Sequence, residues 1–275
     1  MNQNILRGVW ARQLSLLTLA IVSSLTIPIS AATAQKVDNE HQVGGILWTQ
    51  TSGEWKALSY QAFSIARLRL DQDLRASRNR RMRRAVIVDV DETVLDNSPY
   101  QAMLVKTRRA YESKSWNDWC QKVEAAAIPG AVEFLRYANS RGVRVFYITN
   151  RRESEKQCTA QNLKKVGFPD VSDETVLVRT DVSSKQPRRD SIARKHRVVL
   201  LMGDNLNDFA EIFETSKTID SRLSATQQNR SNFGARFIVL PNVMYGAWEE
   251  AIYGDASKLT EEQKAEKRRN ALKEF

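Results

Sequence analysis

The hydrophobic positions of this chain fall into three regimes. One apolar run extends from Leu14 to Ile29. Over residues 57–84 the apolar positions recur at helical spacing, with Phe63, Ala66, Leu70 and Leu74 on one face. From residue 85 onward, short apolar or β-branched runs alternate with helical stretches, which is the rhythm of βαβ units. Five runs read as buried strands: Ala85–Val90, Val143–Ile148, Thr175–Val178, Val198–Met202 and Arg236–Leu240. A strand covered on both faces of a parallel sheet needs such near-continuous apolar sequence. Between the strands, Pro129 suits the first turn of a helix that Gly142 ends, and a helix beginning near Ser154 stops at Gly167. The pattern predicts a doubly wound α/β fold with a parallel sheet.

Two segments break the rhythm. Residues 92–128 form a polar, Trp-containing insertion directly after the first strand, where a mainly helical cap would overhang the carboxyl end of the sheet. Residues 257–275 form a helical flank, in which Thr260 and Gln263 open a charged helix as a capping box; it shows no chemistry of its own. The core then spans about 85–245, with a second helical flank at 57–84.

The amino terminus reads as an export signal. Arg7 and Arg12 precede the apolar run, Ala32-Thr33-Ala34 follows it, and residues 1–34 hold no Asp, Glu or Lys. The run is shorter than the ~20 residues a spanning helix wants. Cleavage after Ala34 would leave a domain of residues 35–275, periplasmic or secreted; a retained anchor is the competing reading. The only cysteines, Cys120 and Cys158, lie far from the cleavage site, so a lipidated cysteine is not available and no stable membrane anchor is expected after cleavage. In an oxidising compartment the two could pair, but the sequence gives no distance between them.

Composition narrows the classes without choosing a function. With 42% hydrophobic and 27% charged residues among 275, disordered, collagen-like and wholly membrane-embedded chains are excluded. The formal charge is +10, and losing the signal takes two arginines and no acid, which leaves +8. A basic surplus suits nucleic acid, anionic lipid or phosphorylated small molecules. Arg75, Arg78, Arg80, Arg81, Arg83 and Arg84 cluster at the end of the first long helix. Without interleaved aromatics they read as a solvated helix end rather than a platform for a nucleic-acid polymer.

The chemistry is concentrated in the acids. The strand Val86-Ile87-Val88 runs into Asp89-Val90-Asp91, and burying two carboxylates at a strand end costs on the order of several kcal/mol unless a metal or cation compensates. Three later strands add to the same rim: Thr149-Asn150 after the second, Lys185 after the third, and Asp204 and Asp208 after the fourth. Phosphoryl transfer asks for this set of parts: an attacking carboxylate, a proton donor, donors for the equatorial oxygens, and carboxylates for Mg²⁺.

The segments Asp-Val-Asp-Glu-Thr-Val-Leu-Asp-Asn-Ser at 89–98, Phe-Tyr-Ile-Thr-Asn-Arg at 146–151, Lys185 and Gly-Asp-Asn-Leu-Asn-Asp-Phe at 203–209 resemble the haloacid dehalogenase-like hydrolases. Within them the chain looks most like the class C acid phosphatases, exported bacterial enzymes that include 5′-nucleotidases. The likeness extends to Trp116, Pro129–Phe134, Leu240-Pro241-Asn242 and Tyr245-Gly246. It implies a Rossmann-like core and a Mg²⁺-dependent phosphomonoesterase acting on small phosphate esters, nucleoside 5′-monophosphates among them. Asp89 would be the nucleophile and Asp91 the acid that protonates the leaving alcohol and then activates water. Thr149 and Asn150 would contact the phosphoryl group and Lys185 would neutralise it. Asp89, the main-chain carbonyl of Asp91, and Asp204 would hold Mg²⁺, with Asp208 holding Lys185 or the metal's water. Trp116 and Tyr245 occupy positions where rings flank a nucleotide base, although each taken alone reads equally as a packing residue.

Other readings compete. A phosphotransferase or a C–halogen hydrolase would keep the fold, but the latter needs neither Asp91 nor the metal ligands. A nucleic-acid-binding protein would rest on the arginine cluster. A receiver-type signalling domain would place its phospho-acceptor on a later strand. His41 reads as part of a polar leader and His196 as the start of a strand, so a histidine-based phosphatase lacks candidates. The sequence is compatible with a homo-oligomer and sets no subunit count.

Overall fold

The computed structural model describes residues 37–76 and 82–275. The export signal read over residues 1–34, and Arg78, Arg80 and Arg81, lie outside the described residues. Two helices, α1 (Val43–Thr51) and α2 (Gly53–Ala76), precede the first strand, β1 (Arg83–Val88). The insertion folds as β2 (Leu95–Asp96), α3 (Ser98–Thr107), α4 (Ser113–Lys122) and β3 (Ala126–Ala127). The core continues through α5 (Ala131–Ser140), β4 (Arg144–Ile148), α6 (Lys156–Val166), β5 (Val176–Leu177), α7 (Gln186–Ala193) and β6 (His196–Gly203). It closes with α8 (Glu211–Thr215), α9 (Ile219–Gln228), β7 (Phe237–Val239), α10 (Ala247–Tyr253) and α11 (Glu261–Asn270). Among the described residues no helix is long and apolar enough to cross a membrane.

The main sheet has the order β5-β4-β1-β6-β7, with every pairing parallel. The chain winds outward from β1 to β4 and β5, then returns to β6 on the other side of β1. That reversal opens a crevice at the carboxyl ends of β1 and β6, where open α/β sheets bind ligands.

The two-residue period of the strands sorts their side chains onto two faces. Val86, Val88, Val145, Tyr147, Leu200 and Met202 pack with Phe63, Ala66 and Leu70 of α2 and with Phe134, Leu135 and Ala138 of α5. Ala85, Ile87, Phe146, Ile148 and Leu201 pack on the opposite face with Ile192 of α7, Phe213 of α8 and Ala225 of α9. Helices on both faces make the fold doubly wound, as the apolar runs predicted.

Some boundaries differ from the sequence reading. The helix α2 ends at Ala76, and Arg83 and Arg84 belong to β1 rather than to a helix terminus. Arg84 Nε lies 2.7 Å from Asp73 Oδ1, and Arg197 Nη2 reaches the same oxygen at 2.5 Å. These two guanidiniums therefore dock α2 on β1 and β6, and Arg84 is withdrawn from any phosphate-binding cluster. Pro129 precedes α5 instead of opening it. Gly130 caps that helix at φ +87°, and an added Cβ would lie 3.2 Å from the Phe63 ring.

Within the insertion, β2 and β3 pair antiparallel, and Tyr100, Leu104 and Trp116 form a small apolar cluster. Cys120 of α4 and Cys158 of α6 are joined by a disulfide, with their Cα atoms 5.7 Å apart. The pairing that the sequence left open thus ties the insertion to the core.

Candidate active site

The β1 ladder extends one residue past the strand, since the Asp89 amide donates to the Met202 carbonyl at 2.9 Å. The chain then turns sharply. Glu92 sits at φ +58°, a left-handed conformation that is costly for a residue with a Cβ. Bonds on all sides hold it there. Its amide donates to Leu95 O at 2.9 Å, and its buried carboxylate accepts from the Asn97 amide at 2.9 Å and from the Tyr245 hydroxyl. Asp89 and Asp91 therefore leave the strand on a braced loop.

The other strands bring their groups to the same edge. β4 ends at Ile148 and presents Thr149, Asn150 and Arg151; Lys185 stands at the N-cap of α7; β6 presents Asp204, and the 3-10 turn Leu206–Asp208 presents Asp208. Gly203 permits this turn to fold tightly, because an added Cβ would lie 2.3 Å from Asp208 Oδ2. The same oxygen accepts the Asn205 amide at 3.1 Å.

Asp89, Asp204 and Asp208 each offer a carboxylate oxygen, and these atoms all lie within 4.8 Å of one another. Lys185 Nζ bonds both Asp89 Oδ1 and, at 2.7 Å, Asp208 Oδ1. Asp204 is gripped on both oxygens, by Asn242 Nδ2 at 2.8 Å and Thr93 Oγ1 at 3.2 Å. Burial raises the Asp89 carboxyl well above the usual carboxylate range; Lys185 opposes this, and the anions of Asp208 and Asp204 reinforce it. Burial and Asp208 push Asp204 up to about 7. Burial alone would lower Lys185, but Asp208 and Asp89 override it and hold the ammonium above its ordinary range. Three carboxylates face one ammonium, an excess of two negative charges on hard oxygen donors. A divalent cation such as Mg²⁺ fits that charge and donor type.

The side chain of Asp91 is committed elsewhere. Its Oδ1 accepts from Arg151 Nε at 2.9 Å and Asn97 Nδ2 at 3.0 Å, and its Oδ2 accepts from Thr149 Oγ1 at 2.9 Å. Of the four aspartates read as metal-site residues, the carboxylate of Asp91 alone falls outside the close cluster. Asn150 is exposed, and Arg188 donates to its Oδ1 at 2.7 Å and to Thr149 O at 2.6 Å.

Asp89, Asp91, Asn150, Lys185, Asp204 and Asp208 line a cavity of about 770 Å³, and Thr149 lies buried behind its wall. Trp116 and Tyr245 both border it, each with another tie: Trp116 is buried edge-on to Tyr100, with ring centroids 5.0 Å apart, and Tyr245 bonds Glu92. Tyr111, an exposed ring, borders it as well. The chain's two flanks also reach the wall. The terminal helix α11, read as free of chemistry, contributes Lys264 and Arg268 to the wall. His41, read as polar leader, lies on the wall with its Nε2 3.1 Å from Glu249 Oε1. Helical charge patterning looks alike on a solvated face and on a cavity wall, so neither was legible locally. Arg151, Asn97 and Asn242 were also missed as functional residues. Each stands inside or beside a recognised motif, but its role depends on which carboxylate the fold brings to it.

A family model of the HAD superfamily, subfamily IIIB (Acid phosphatase), matches residues 11–248. The structure is similar to that of the class C acid phosphatase from Bacillus anthracis, with a TM-score of 0.81 and 40% identity, covering 86% of this chain and 98% of that one. A crystal structure of the B. anthracis enzyme with tungstate bound gives a TM-score of 0.82 at the same identity and coverage. Among curated proteins, acid phosphatase 1 of Solanum lycopersicum is 28% identical over 130 residues, 44% of this chain and 50% of that protein. A stem 31 kDa glycoprotein of Glycine max is 26% identical over 128 residues, with the same shares of each chain. The chain thus spans about half the length of the curated relatives it matches. The matched sequence, the sheet order and the acidic edge agree, and the chain belongs to the acid phosphatases of the HAD superfamily, subfamily IIIB.

Proposed function

We propose that the protein is an exported, Mg²⁺-dependent acid phosphatase that hydrolyses small phosphate monoesters, nucleoside 5′-monophosphates among them, through an aspartyl-phosphate on Asp89. The observation that carries this reading is the cluster of Asp89, Asp204 and Asp208 around Lys185 at the switch point of the sheet.

Lys185 occupies Asp89 Oδ1, which leaves Oδ2 to attack phosphorus. As that bond forms, the ester P–O bond breaks and its electron pair passes to the leaving oxygen, which takes a proton from Asp91. In the second half, Asp91 takes a proton from water, the water oxygen bonds phosphorus, and the Asp89–phosphorus bond breaks to free phosphate. Arg188 holds Asn150 Oδ1, so the amide N–H groups are the ones left for a phosphoryl oxygen. A divalent cation held by Asp89, Asp204, Asp208 and the main-chain carbonyl of Asp91 would supply charge neutralisation at the phosphoryl oxygens. The cavity has room beyond a phosphate, and the rings of Trp116, Tyr111 and Tyr245 on its wall suit a planar base. The basic surplus would draw anionic esters toward it.

The test is phosphate release from p-nitrophenyl phosphate and from a nucleoside 5′-monophosphate, with and without EDTA and added Mg²⁺. We expect release that EDTA abolishes and Mg²⁺ restores, and none from a folded Asp89→Asn variant. Turnover by that variant at the wild-type rate refutes the assignment.

A further inference from the structure

Arg151 is tethered through all three guanidinium nitrogens beside the site, and neither half of the proposed reaction gives it a task. It is 4% exposed. Its Nε and Nη2 lie 2.9 and 2.8 Å from Asp91 Oδ1. Nη2 also donates to Asn97 Oδ1 at 3.2 Å, and Nη1 donates to Thr159 Oγ1 at 3.1 Å, with Cys120 Sγ 3.3 Å away. Beneath the guanidinium lies the Trp116 ring, 5.0 Å from centroid to Cζ. Asn97 is itself fixed, since its Oδ1 accepts Trp119 Nε1 at 2.9 Å while its Nδ2 bonds Asp91 Oδ1.

The two oxygens of Asp91 are consequently unlike. Oδ1 receives two N–H donors, Nε of Arg151 and Nδ2 of Asn97, with Nη2 of Arg151 in ion-pair contact, and these occupy both of its lone pairs. Among the described residues Oδ2 meets only the Thr149 hydroxyl, a group that can donate to a carboxylate or accept from a carboxylic acid. We propose that Arg151 is a positioning residue that dedicates Asp91 Oδ2 to proton exchange with the leaving group and with water. This rests on the reading of Asp91 as the acid of a phosphomonoesterase. The proton travels from Oδ2 to the ester oxygen as the P–O bond breaks, and returns to Oδ2 from the water that attacks phosphorus. The planar guanidinium holds Oδ1 while it is itself tied to Asn97 and Thr159, and with Thr149 on Oδ2 this fixes the plane of the carboxylate; the single ammonium of lysine cannot reach those anchors together. Trp116 then serves the site as the floor under Arg151, and the Cys120–Cys158 disulfide anchors part of that seat.

A leaving-group comparison tests this. p-Nitrophenolate departs without a proton, whereas an alkoxide needs one. In Arg151→Gln, kcat/KM, which reports formation of the aspartyl-phosphate and not its shared hydrolysis, should fall about 100-fold for an alkyl phosphate, the scale of general acid catalysis, and much less for p-nitrophenyl phosphate. Arg151→Lys should show the same selective loss, and guanidinium chloride should restore part of the alkyl phosphate rate in Arg151→Ala. Asp91→Asn should share the selectivity, and adding Arg151→Gln to it should cost little more. Equal losses on both esters in a variant whose melting temperature is near wild type would overturn the proposal, as would absence of guanidinium rescue. If the glutamine and alanine variants do not fold, the lysine variant decides alone by the same ratio. A wild-type protein that releases phosphate from neither ester would instead defeat the phosphatase reading itself.

Discussion

Lys185 Nζ lies 2.7 Å from Asp208 Oδ1, which joins the N-terminus of α7 to the loop after β6 and leaves the ammonium shared with Asp89. Both carboxylates are buried, so the lysine is what allows them to stand together before any cation arrives. Replacing it by methionine would strip the only positive side chain that touches this pair among the described residues and leave two carboxylates without a charge partner. We expect Lys185→Met to lose about 10²–10³-fold in kcat, and to bind divalent cation at least as tightly as wild type because a competing charge is gone. Weaker cation binding, measured by calorimetry, would contradict this account of the charge balance.

The same carboxylates fix how stability depends on pH. The Asp89 and Asp204 carboxyls are raised in the folded state, Asp204 to about 7, chiefly by burial. Between the ordinary carboxylate range near ~4 and pH 7, the native state binds more protons than the unfolded chain, so metal-free stability falls as pH rises through that window. Melting temperatures in EDTA should decline from pH 5 to pH 7.5. Mg²⁺ should counter the decline most strongly at the upper end, by about 2.7 kcal/mol when it is present at 100 times its dissociation constant. A metal-free melting temperature that rises over this interval would speak against buried, protonated carboxylates.

Gly203 has no room for a side chain, because a Cβ would sit 2.3 Å from Asp208 Oδ2. Gly203→Ala should displace Asp208, break its contact with Lys185 and lower stability by about 1–3 kcal/mol. Activity at saturating substrate should fall along with cation affinity. Chemical denaturation and a Mg²⁺ titration of the rate measure the two effects separately.

The disulfide closes a separation of 38 residues between the insertion and the core. Chain-entropy arguments assign such a loop a stabilisation of about 4 kcal/mol at most. Cys120→Ser with Cys158→Ser should lower the melting temperature, and dithiothreitol should do the same to wild type but not to the double variant. If reductant leaves wild type unaffected under conditions where the thiols are shown to be free, the bond contributes nothing to stability.

The apolar runs and the acids at their ends determined a good deal by themselves. A strand such as Val86–Val88 has to be buried on both faces, and the carboxylates that follow it have to meet positive charge. Four strands of that kind in a doubly wound order place Asp89, Thr149, Lys185 and Asp204 on one edge, whatever the details of their connections. Pairwise geometry was decided only in three dimensions. The sequence offers Arg151 and Arg84 as two basic residues of equal standing, yet one clamps Asp91 and the other docks α2 through Asp73. Cys120 and Cys158 are just two cysteines until α4 packs on α6. His41, Lys264 and Arg268 reach the cavity wall because the chain's two flanks fold back over the carboxyl end of the sheet. Periodicity reports whether a side chain is buried against something, and it carries no information on which partner lies across a gap of a hundred residues. That information exists only once the backbone has closed the distance.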